Sequence, residues 1–307
     1  MKELVFGHKN PDTDAIVAAK AYSYLLNQLG YDTEAVALGE PNDETKFVLD
    51  HFDEEYPRVI TKAAPETKEV VLVDHNEAQQ SVDDIADVTV THVIDHHRIA
   101  NFSTSAPLYY HAEPLGCCST IIFKEFRERG VQIPAKLAGL MLSAIISDTL
   151  LFKSPTTTDV DVATGKKLAD IAGVNYEEYG LAMLKAGTNL ATKTAEELVT
   201  SDAKSFDMGG KSIRVDQINT VDLSEVFARE DELRSAILQQ NKDNGYDLFL
   251  LMVTNILDSN TRLLILGEGQ EEVEKAFGKK IKDDKIDLPG VVSRKKQVVP
   301  PMEKAFK

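Results

Sequence analysis

The sequence predicts a two-domain α/β protein in which a doubly wound, mainly parallel sheet is followed by a smaller α/β domain. The amino-terminal half repeats a short apolar run, a polar turn and an amphipathic stretch, which is typical of β/α units. Residues 70–73 are all apolar, as expected for a central parallel strand covered on both faces. The pattern changes after the polar stretch 187–192, so we expect a linker there between domains at 1–187 and 193–307.

The first domain begins with a predicted strand at 4–6 and a helix at 16–29 that ends at Gly30. The other elements follow from the same apolar periods and turn signals. The further strands are predicted at 35–38, 70–73 and 92–94, and the further helices at 119–130, 134–147, 158–171 and 175–186.

The second domain is predicted to open with a hairpin at 204–215, which turns at Gly209-Gly210. A single helix is expected from residue 223 to about 241, followed by apolar strands at 248–253 and 262–266. We therefore expect a smaller mixed domain that can present its own polar groups to a ligand.

Composition excludes several classes of protein. The 307 residues carry 34 Lys+Arg against 50 Asp+Glu, a formal net charge of −16, and 43% of them are hydrophobic. This hydrophobic fraction is enough for a globular core and argues against a disordered chain. An acidic molecule also lacks the overall basic field that nucleic-acid binding uses. We expect no nucleic-acid partner.

The sequence also gives no sign of a membrane or an oxidising compartment. No apolar run reaches the roughly 18 to 20 residues that a membrane helix needs, and the first residues lack the pattern of a secretory signal. The only cysteines, Cys117 and Cys118, are adjacent, which is too close for an ordinary structural disulfide. We expect a cytoplasmic protein without a membrane partner.

Four segments with carboxylate or imidazole side chains follow predicted strands or a predicted helix, at 7–14, 73–76, 94–97 and 147–149. Parallel strands bring their carboxyl ends to one sheet edge, which makes six side chains neighbours: His8, Asp12, Asp14, Asp74, His96 and Asp148. Carboxylates packed so closely need cations to stay ionised. The cluster predicts a site for two metal ions bridged by a residue such as Asp74, with Mn²⁺ or Co²⁺ favoured over Ca²⁺.

Simpler interpretations exist for some of these residues. Asp12 and Asp14 also fit an Asx turn and a helix cap, and Asp148 fits a cap of the next segment. Asp95 is expected to orient one of the two histidines that follow it. Residues 279–307 carry nine Lys+Arg against four Asp+Glu, which fits either an anion-binding surface or a solvated basic tail.

Together these motifs resemble the DHH superfamily of phosphoesterases. Within it, the run Ser293-Arg294-Lys295-Lys296-Gln297 is similar to the family II, manganese-dependent inorganic pyrophosphatases. The resemblance covers nearly the whole chain. It implies an active site in the cleft between the DHH domain and a DHHA2-like carboxy-terminal domain, and a homodimer formed through the amino-terminal domain.

The resemblance also implies roles for individual residues. One Mn²⁺ would be held by His8, Asp12 and Asp74, and the other by Asp14, Asp74, His96 and Asp148, with Co²⁺ able to substitute. Pyrophosphate would be held by His97, Lys204, Arg294 and Lys295, and further Mg²⁺ or Mn²⁺ would arrive with it. The expected reaction is hydrolysis to two phosphates by a water or hydroxide between the two metals, with catalytic roles for Asp74 and His97.

Two competing interpretations remain open. Other branches of the superfamily act on short nucleic acids or nucleotide phosphates, and their metal site would look almost identical. They carry a Gly-rich motif with histidine, whereas Met208-Gly209-Gly210-Lys211 has none, and the chain has no Trp for base stacking. The second alternative is a binding protein that keeps the ligands without turnover.

Overall fold

The computed structural model describes residues 2–307, and the chain divides into two compact units with a boundary between Gly187 and Thr188. Each unit contains its own five-stranded sheet. Among the described residues, no helix combines the length and the apolar character needed to cross a bilayer.

The sheet of the first unit is parallel throughout. Its strands are β1 (Glu3–Phe6), β2 (Thr33–Ala35), β3 (Glu69–Val73), β4 (Thr89–Asp95) and β5 (Tyr109–Ala112). The strand order β2-β1-β3-β4-β5 is a doubly wound order, which reverses direction between β1 and β3. Ligand crevices of such sheets lie at the carboxyl ends of the strands beside this reversal. The predicted fold class is confirmed.

Six helices belong to the first unit. They are α1 (Thr13–Gln28), α2 (Asp43–His51), α3 (Cys118–Glu128), α4 (Ala135–Thr149), α5 (Asp159–Ala172) and α6 (Tyr176–Thr188). α1 starts three residues before its predicted start because a carboxylate oxygen of Asp12 accepts the backbone N–H of Ala15 at 2.9 Å and caps the first turn. Its apolar side packs into the core, where Ile16 is 1% exposed and Tyr22 is fully buried.

The second unit has a mixed sheet. Its strands are β6 (Lys204–Met208), β7 (Lys211–Thr220), β8 (Leu248–Asn255), β9 (Asn260–Gly267) and β10 (Lys285–Pro289), and its helices are α7 (Ala195–Leu198), α8 (Leu223–Phe227), α9 (Glu230–Asn244), α10 (Gln270–Phe277) and α11 (Val299–Ala305). All eight residues of β8 are buried, so this strand has an apolar core on each face. Gly209 and Gly210, with φ of 61° and 79°, make the tight β6–β7 turn.

One predicted strand and one predicted helix differ from the structure. The strand predicted at 35–38 ends at Ala35, and beyond it Ala37 makes only an isolated bridge to Val59. Six of the α-helices and strands were not predicted, namely α2 and β5 in the first unit and α7, α10, β10 and α11 in the second.

The single helix predicted from residue 223 to 241 is wrong, since α8 and α9 are separate. Arg229 leaves helical geometry at the break, and its guanidinium donates to the backbone oxygens of Lys193, at 2.8 Å, and Leu190. The first turn of α9 carries acidic side chains, which are favourable near the amino terminus of a separate helix.

Candidate active site

Asp74 is the first residue after β3, at the carboxyl edge of the parallel sheet. It is 2% exposed and takes a left-handed backbone conformation, with φ of 58°. Its backbone N–H donates to Ile94 O at 2.9 Å, which ties it to β4. A non-glycine residue with this φ is uncommon, and such conformations cluster at functional sites.

Two histidines approach Asp74 from neighbouring strand ends. His8 Nε2 lies 3.4 Å from Asp74 Oδ2, and His96 Nε2 lies 3.2 Å from Asp74 Oδ1. His8 Nδ1 is 2.9 Å from Lys9 O, and His96 Nδ1 is 3.0 Å from Leu115 O. Metal-ligating histidines are commonly held in this way, with one ring nitrogen on a backbone carbonyl and the other directed at the metal.

Asp12 contributes to both a helix cap and this cluster. Its Oδ1 caps α1, while its Oδ2 lies 3.5 Å from His8 Nε2. The two interpretations of Asp12 that the sequence left open are therefore compatible, because each uses a different carboxylate oxygen.

Asp14 and Asp148 form the second side of the cluster. Asp14 is fully buried, and it accepts the Cys118 backbone N–H at 2.7 Å and the Ser119 hydroxyl at 2.6 Å, both at the amino terminus of α3. Asp148 lies in the last turn of α4, where the helix dipole disfavours negative charge. Its Oδ2 is buried and has no hydrogen-bond partner among residues 2–307.

The pKa values of these residues show how strongly the groups interact. Burial raises the pKa of Asp14 to about 6, with Asp74 adding to the rise, and burial together with Asp14 raises the Asp148 pKa well above its usual range. Burial disfavours charge on His8 and His96 as well. Hydrogen bonds to carboxylates outweigh it and raise the His8 pKa to about 11, chiefly through Asp12 and Asp74, and the His96 pKa to about 9 through Asp74. The hydrogen bonds from His8 and His96 outweigh burial at Asp74 and hold its pKa below the usual range. The charged forms of Asp14 and Asp148 are not stabilised in this way.

The donor set fits divalent metal ions. Three groups of side chains, each with ligand atoms within 4.8 Å of one another, can hold a metal ion: His8, Asp12 and Asp74; Asp74, His96 and His97; and Asp14, Cys117 and Asp148. Asp74 belongs to two of these groups, and each of its two carboxylate oxygens lies beside a histidine Nε2. Mixed imidazole and carboxylate ligation suits Mn²⁺ among other first-row ions.

His97 is oriented by Asp95, in agreement with the expectation that Asp95 orients one of the two histidines. Its Nδ1 lies 3.0 Å from Asp95 Oδ1, and Asp95 is itself fully buried and accepts from Asn76 Nδ2 at 2.6 Å. The hydrogen bond to Asp95 raises the pKa of His97. His97 lines a cavity of about 440 Å³, which is also lined by Asp12, Asp74 and Asp148.

Some residues near this cavity were not identified from the sequence. Arg98 lines it with a side chain that is 83% exposed, and Thr156 lines it as well. Cys117 is fully buried beside Asp14 and Asp148. The only indication of Arg98 in the sequence is its position directly after the two histidines. Cys117 could not be identified in this way, because the residues beside it in the structure are distant in the chain.

In the second unit, the predicted phosphate-binding side chains line one cavity. Lys204 at the start of β6 lines a volume of about 460 Å³ together with Arg294 and Lys295 in a π-helical turn, Arg294–Val298. Ser293 caps this turn by accepting the Lys296 N–H at 3.3 Å. π-helical turns are frequent at functional sites. The three cations are therefore brought together although 90 residues separate Lys204 from Arg294.

Arg294 is held more tightly than the sequence indicated. It is 9% exposed, its Nη2 lies 2.8 Å from Asp202 Oδ1, and its Nη1 donates to the backbone oxygens of Asp202 and Val215. Lys295 is exposed. Other basic residues of 279–307 pair within the unit, since Lys280 Nζ lies 2.6 Å from Glu274 and Lys279 Nζ donates to Asp287 O.

Asp216 on β7 supports the segment that carries Asp202. It is fully buried, its Oδ1 accepts the Asp202 N–H at 3.2 Å, and its Oδ2 has no partner within residues 2–307. Burial raises its pKa from 3.8 to about 6.

Replacing Asp216 by asparagine is expected to raise the free energy of unfolding at pH 8 by about 1–2 kcal/mol. The folded wild type binds more protons than the unfolded chain between pH 3.8 and about 6, so its stability falls as the pH rises through this range. Asparagine is neutral and still accepts from Asp202. Urea denaturation from pH 4 to 8 measures the difference, with Asp207→Asn on exposed β6 as control, and a difference that stays constant with pH would contradict the expectation.

Comparison with known proteins gives the family. The model of the DHH family, N-terminal domain, matches residues 2–145, and the DHHA2 domain matches residues 181–305. A probable manganese-dependent inorganic pyrophosphatase of Lactiplantibacillus plantarum is 68% identical over 305 residues, covering 99% of each chain. The chain belongs to the manganese-dependent inorganic pyrophosphatase family. A further relative in this pyrophosphatase family, from Enterococcus faecalis, is 59% identical over 305 residues, again covering 99% of each chain.

Solved structures agree with membership of the pyrophosphatase family. A putative family II inorganic pyrophosphatase of Methanococcus jannaschii is 40% identical, with a TM-score of 0.61 over 100% of this chain and 99% of that one. An exopolyphosphatase-related protein of Bacteroides fragilis is 13% identical, covers 99% of this chain and 91% of its own, and has a TM-score of 0.51, so the likeness is one of fold. The resemblance inferred from the motifs is confirmed.

Proposed function

We propose that this chain hydrolyses inorganic pyrophosphate to two phosphates at a site that holds two manganese ions. The observation that carries the proposal is the position of Asp74, which is buried between His8 and His96 and belongs to two of the three ligand groups. The names of full-length relatives at 57–68% identity support the reaction and the metal.

The first metal ion is proposed to bind His8, Asp12 and Asp74, and the second Asp14, Asp74, His96 and Asp148. The buried Asp148 Oδ2 supports the second set, because it has no hydrogen-bond partner among residues 2–307 and an ionised buried carboxylate needs a hydrogen bond or a cation beside it. When bound, such a pair of ions lowers the pKa of water toward neutrality and polarises a phosphoryl oxygen.

Asp74 and His97 carry the proposed catalytic roles within the first domain, residues 1–187. Asp74, directly after β3, would contribute to both sets of metal ligands and so fix their relative position. His97, oriented by Asp95, donates a proton or a hydrogen bond to the departing phosphate. Because Nδ1 of the ring is hydrogen-bonded to Asp95, Nε2 is the nitrogen that remains for the substrate.

The carboxy-terminal domain, residues 193–307, is proposed to bind the phosphates. Lys204, Arg294 and Lys295 supply three positive side chains around one cavity. Arginine matches two phosphate oxygens with its planar fork, whereas lysine acts as a mobile point charge. The contacts of Arg294 with Asp202 and Val215 leave part of its fork available and fix its orientation in advance.

The deciding experiment measures initial rates of phosphate release by metal-stripped protein after addition of Mn²⁺, Co²⁺, Mg²⁺ or Zn²⁺. We expect pyrophosphate to be the preferred substrate and Mn²⁺ or Co²⁺ the best activators, with Mg²⁺ accompanying the substrate. ATP and a short oligonucleotide serve as competing substrates. Turnover of the oligonucleotide without turnover of pyrophosphate would contradict the proposal and favour a nucleotide-directed branch.

Two further parts of the proposal concern the state of the protein. We propose a homodimer formed through the amino-terminal domain and a cytoplasmic location. Sedimentation of the full chain, with and without Mn²⁺, tests the first of these, since a monomer at all concentrations would contradict it.

A further inference from the structure

Glu44 is a half-buried carboxylate that has no place in the proposed reaction. It lies in the first turn of α2, which Asn42 caps through the Thr45 N–H. Its Oε1 accepts two hydroxyl hydrogen bonds, from Thr13 at 2.7 Å and from Ser147 at 2.5 Å. Thr13 and Ser147 are 134 residues apart, so one oxygen atom joins two distant parts of the chain.

Both hydroxyl donors are neighbours of proposed metal ligands. Thr13 is fully buried and stands between Asp12 and Asp14 at the start of α1, and Ser147 directly precedes Asp148 at the end of α4. Glu44 thus connects the backbone segments that carry three carboxylates of the cluster. The hydrogen bonds of Glu44 go to the hydroxyls of Thr13 and Ser147 and not to those carboxylates.

The connection acts through geometry. A single oxygen of Glu44 on α2 accepts one hydroxyl from the start of α1 and one from the end of α4, and so fixes these two segments relative to each other. Residues that orient metal ligands in this way typically contribute 10- to 100-fold, as an order of magnitude, to metal affinity.

We propose that Glu44 is a positioning residue for the metal centre, which it acts on through Thr13 and Ser147. The inference rests on the proposed function, since it assigns Glu44 to the same two-metal site. It predicts an effect on metal affinity that is separate from any effect on the stability of α2.

The test compares Glu44→Ala with Glu44→Gln by titrating Mn²⁺ into metal-stripped full-length protein. We expect Glu44→Ala to weaken Mn²⁺ binding about 10- to 100-fold. Glu44→Gln keeps an oxygen that accepts both hydroxyl groups, so its affinity is expected to stay within about threefold of the wild type. Activity at saturating Mn²⁺ is measured in parallel.

Glu125→Ala is the matched control. Glu125 on α3 is also buried and accepts from the Tyr109 hydroxyl at 2.5 Å and from Arg129 Nε at 2.9 Å, but it contacts no neighbour of a proposed ligand. Its removal is expected to lower thermal stability and leave Mn²⁺ affinity unchanged.

A second variant, Ser147→Ala, covers the case in which Glu44→Ala does not fold. It is expected to weaken Mn²⁺ binding severalfold, and by the same factor in the wild type as in Glu44→Gln, because the amide oxygen of Gln also accepts the Ser147 hydroxyl. Wild-type Mn²⁺ affinity in Glu44→Ala, or in Ser147→Ala if the first is unfolded, overturns the role of Glu44. Retention of Mn²⁺ by Asp74→Ala would instead show that the proposed metal centre itself is wrong.

Discussion

Replacing Asp74 by alanine is expected to remove bound Mn²⁺ and lower kcat with pyrophosphate by about a thousandfold or more. Asp74 is the one residue that belongs to both the His8 and the His96 ligand groups, so its loss weakens both proposed metal sites together. Metal content after desalting, measured by atomic absorption, and initial rates at saturating substrate are the two readouts.

Comparison of Asp74→Asn with Asp74→Ala distinguishes the effect of losing the side-chain charge from the effect of straining the backbone. Asparagine tolerates the left-handed conformation at φ of 58° better than alanine does. It is expected to fold like the wild type and still lose metal and activity. Asp83→Ala, at an exposed carboxylate paired with Lys9, serves as control and should retain both. Full metal content in Asp74→Ala would exclude the bridging role.

Replacing Lys295 by alanine is expected to raise the KM for pyrophosphate about 10- to 100-fold, because a charge-assisted contact to phosphate is worth roughly 1.5–3 kcal/mol. Bound Mn²⁺ is expected to remain, since Lys295 belongs to none of the ligand groups. Arg294→Ala is expected to act in the same direction. Its partner Asp202 has a side chain that is 56% exposed, so the carboxylate left behind stays hydrated.

Lys296→Ala is the matched control for local charge. Lys296 is exposed like Lys295 and follows it directly, but only Lys295 lines the cavity with Lys204 and Arg294. A KM that rises equally in both lysine variants would show that the net charge of the segment, and not a positioned contact, attracts the substrate. An unchanged KM in Lys295→Ala would remove this residue from the proposed binding set.

The positions of the proposed metal ligands were largely predictable from the sequence. His8, Asp74 and His96 each follow a short apolar strand, and parallel strands place their carboxyl ends at one edge of the sheet. This inference needs only the period of the apolar residues and the identity of the next side chains. Asp95 is at the end of the strand that precedes His96, so it was likewise expected to orient one of the two histidines that follow it.

Contacts between residues distant in the chain were not predictable. The ion pair of Arg294 with Asp202 spans 92 residues, and the hydrogen bond of Ser147 to Glu44 spans 103. The break between α8 and α9 likewise depends on Arg229 reaching the backbone oxygens of Leu190 and Lys193. A local pattern contains no information about which distant group will meet a given polar atom.

The sequence by itself determined the fold class, the family and the side chains available for chemistry at the strand ends. The apolar period and the order of the segments can be read directly from the chain. They suffice for these conclusions because the carboxyl ends of parallel strands all lie at one edge of the sheet. Only the tertiary structure decided which groups lie beside the oxygens of Asp12, Asp74 and Asp148, which donors Glu44 accepts from and which acceptors hold Arg294. Those outcomes depend on packing distances of a few tenths of an ångström, which many distant residues set together.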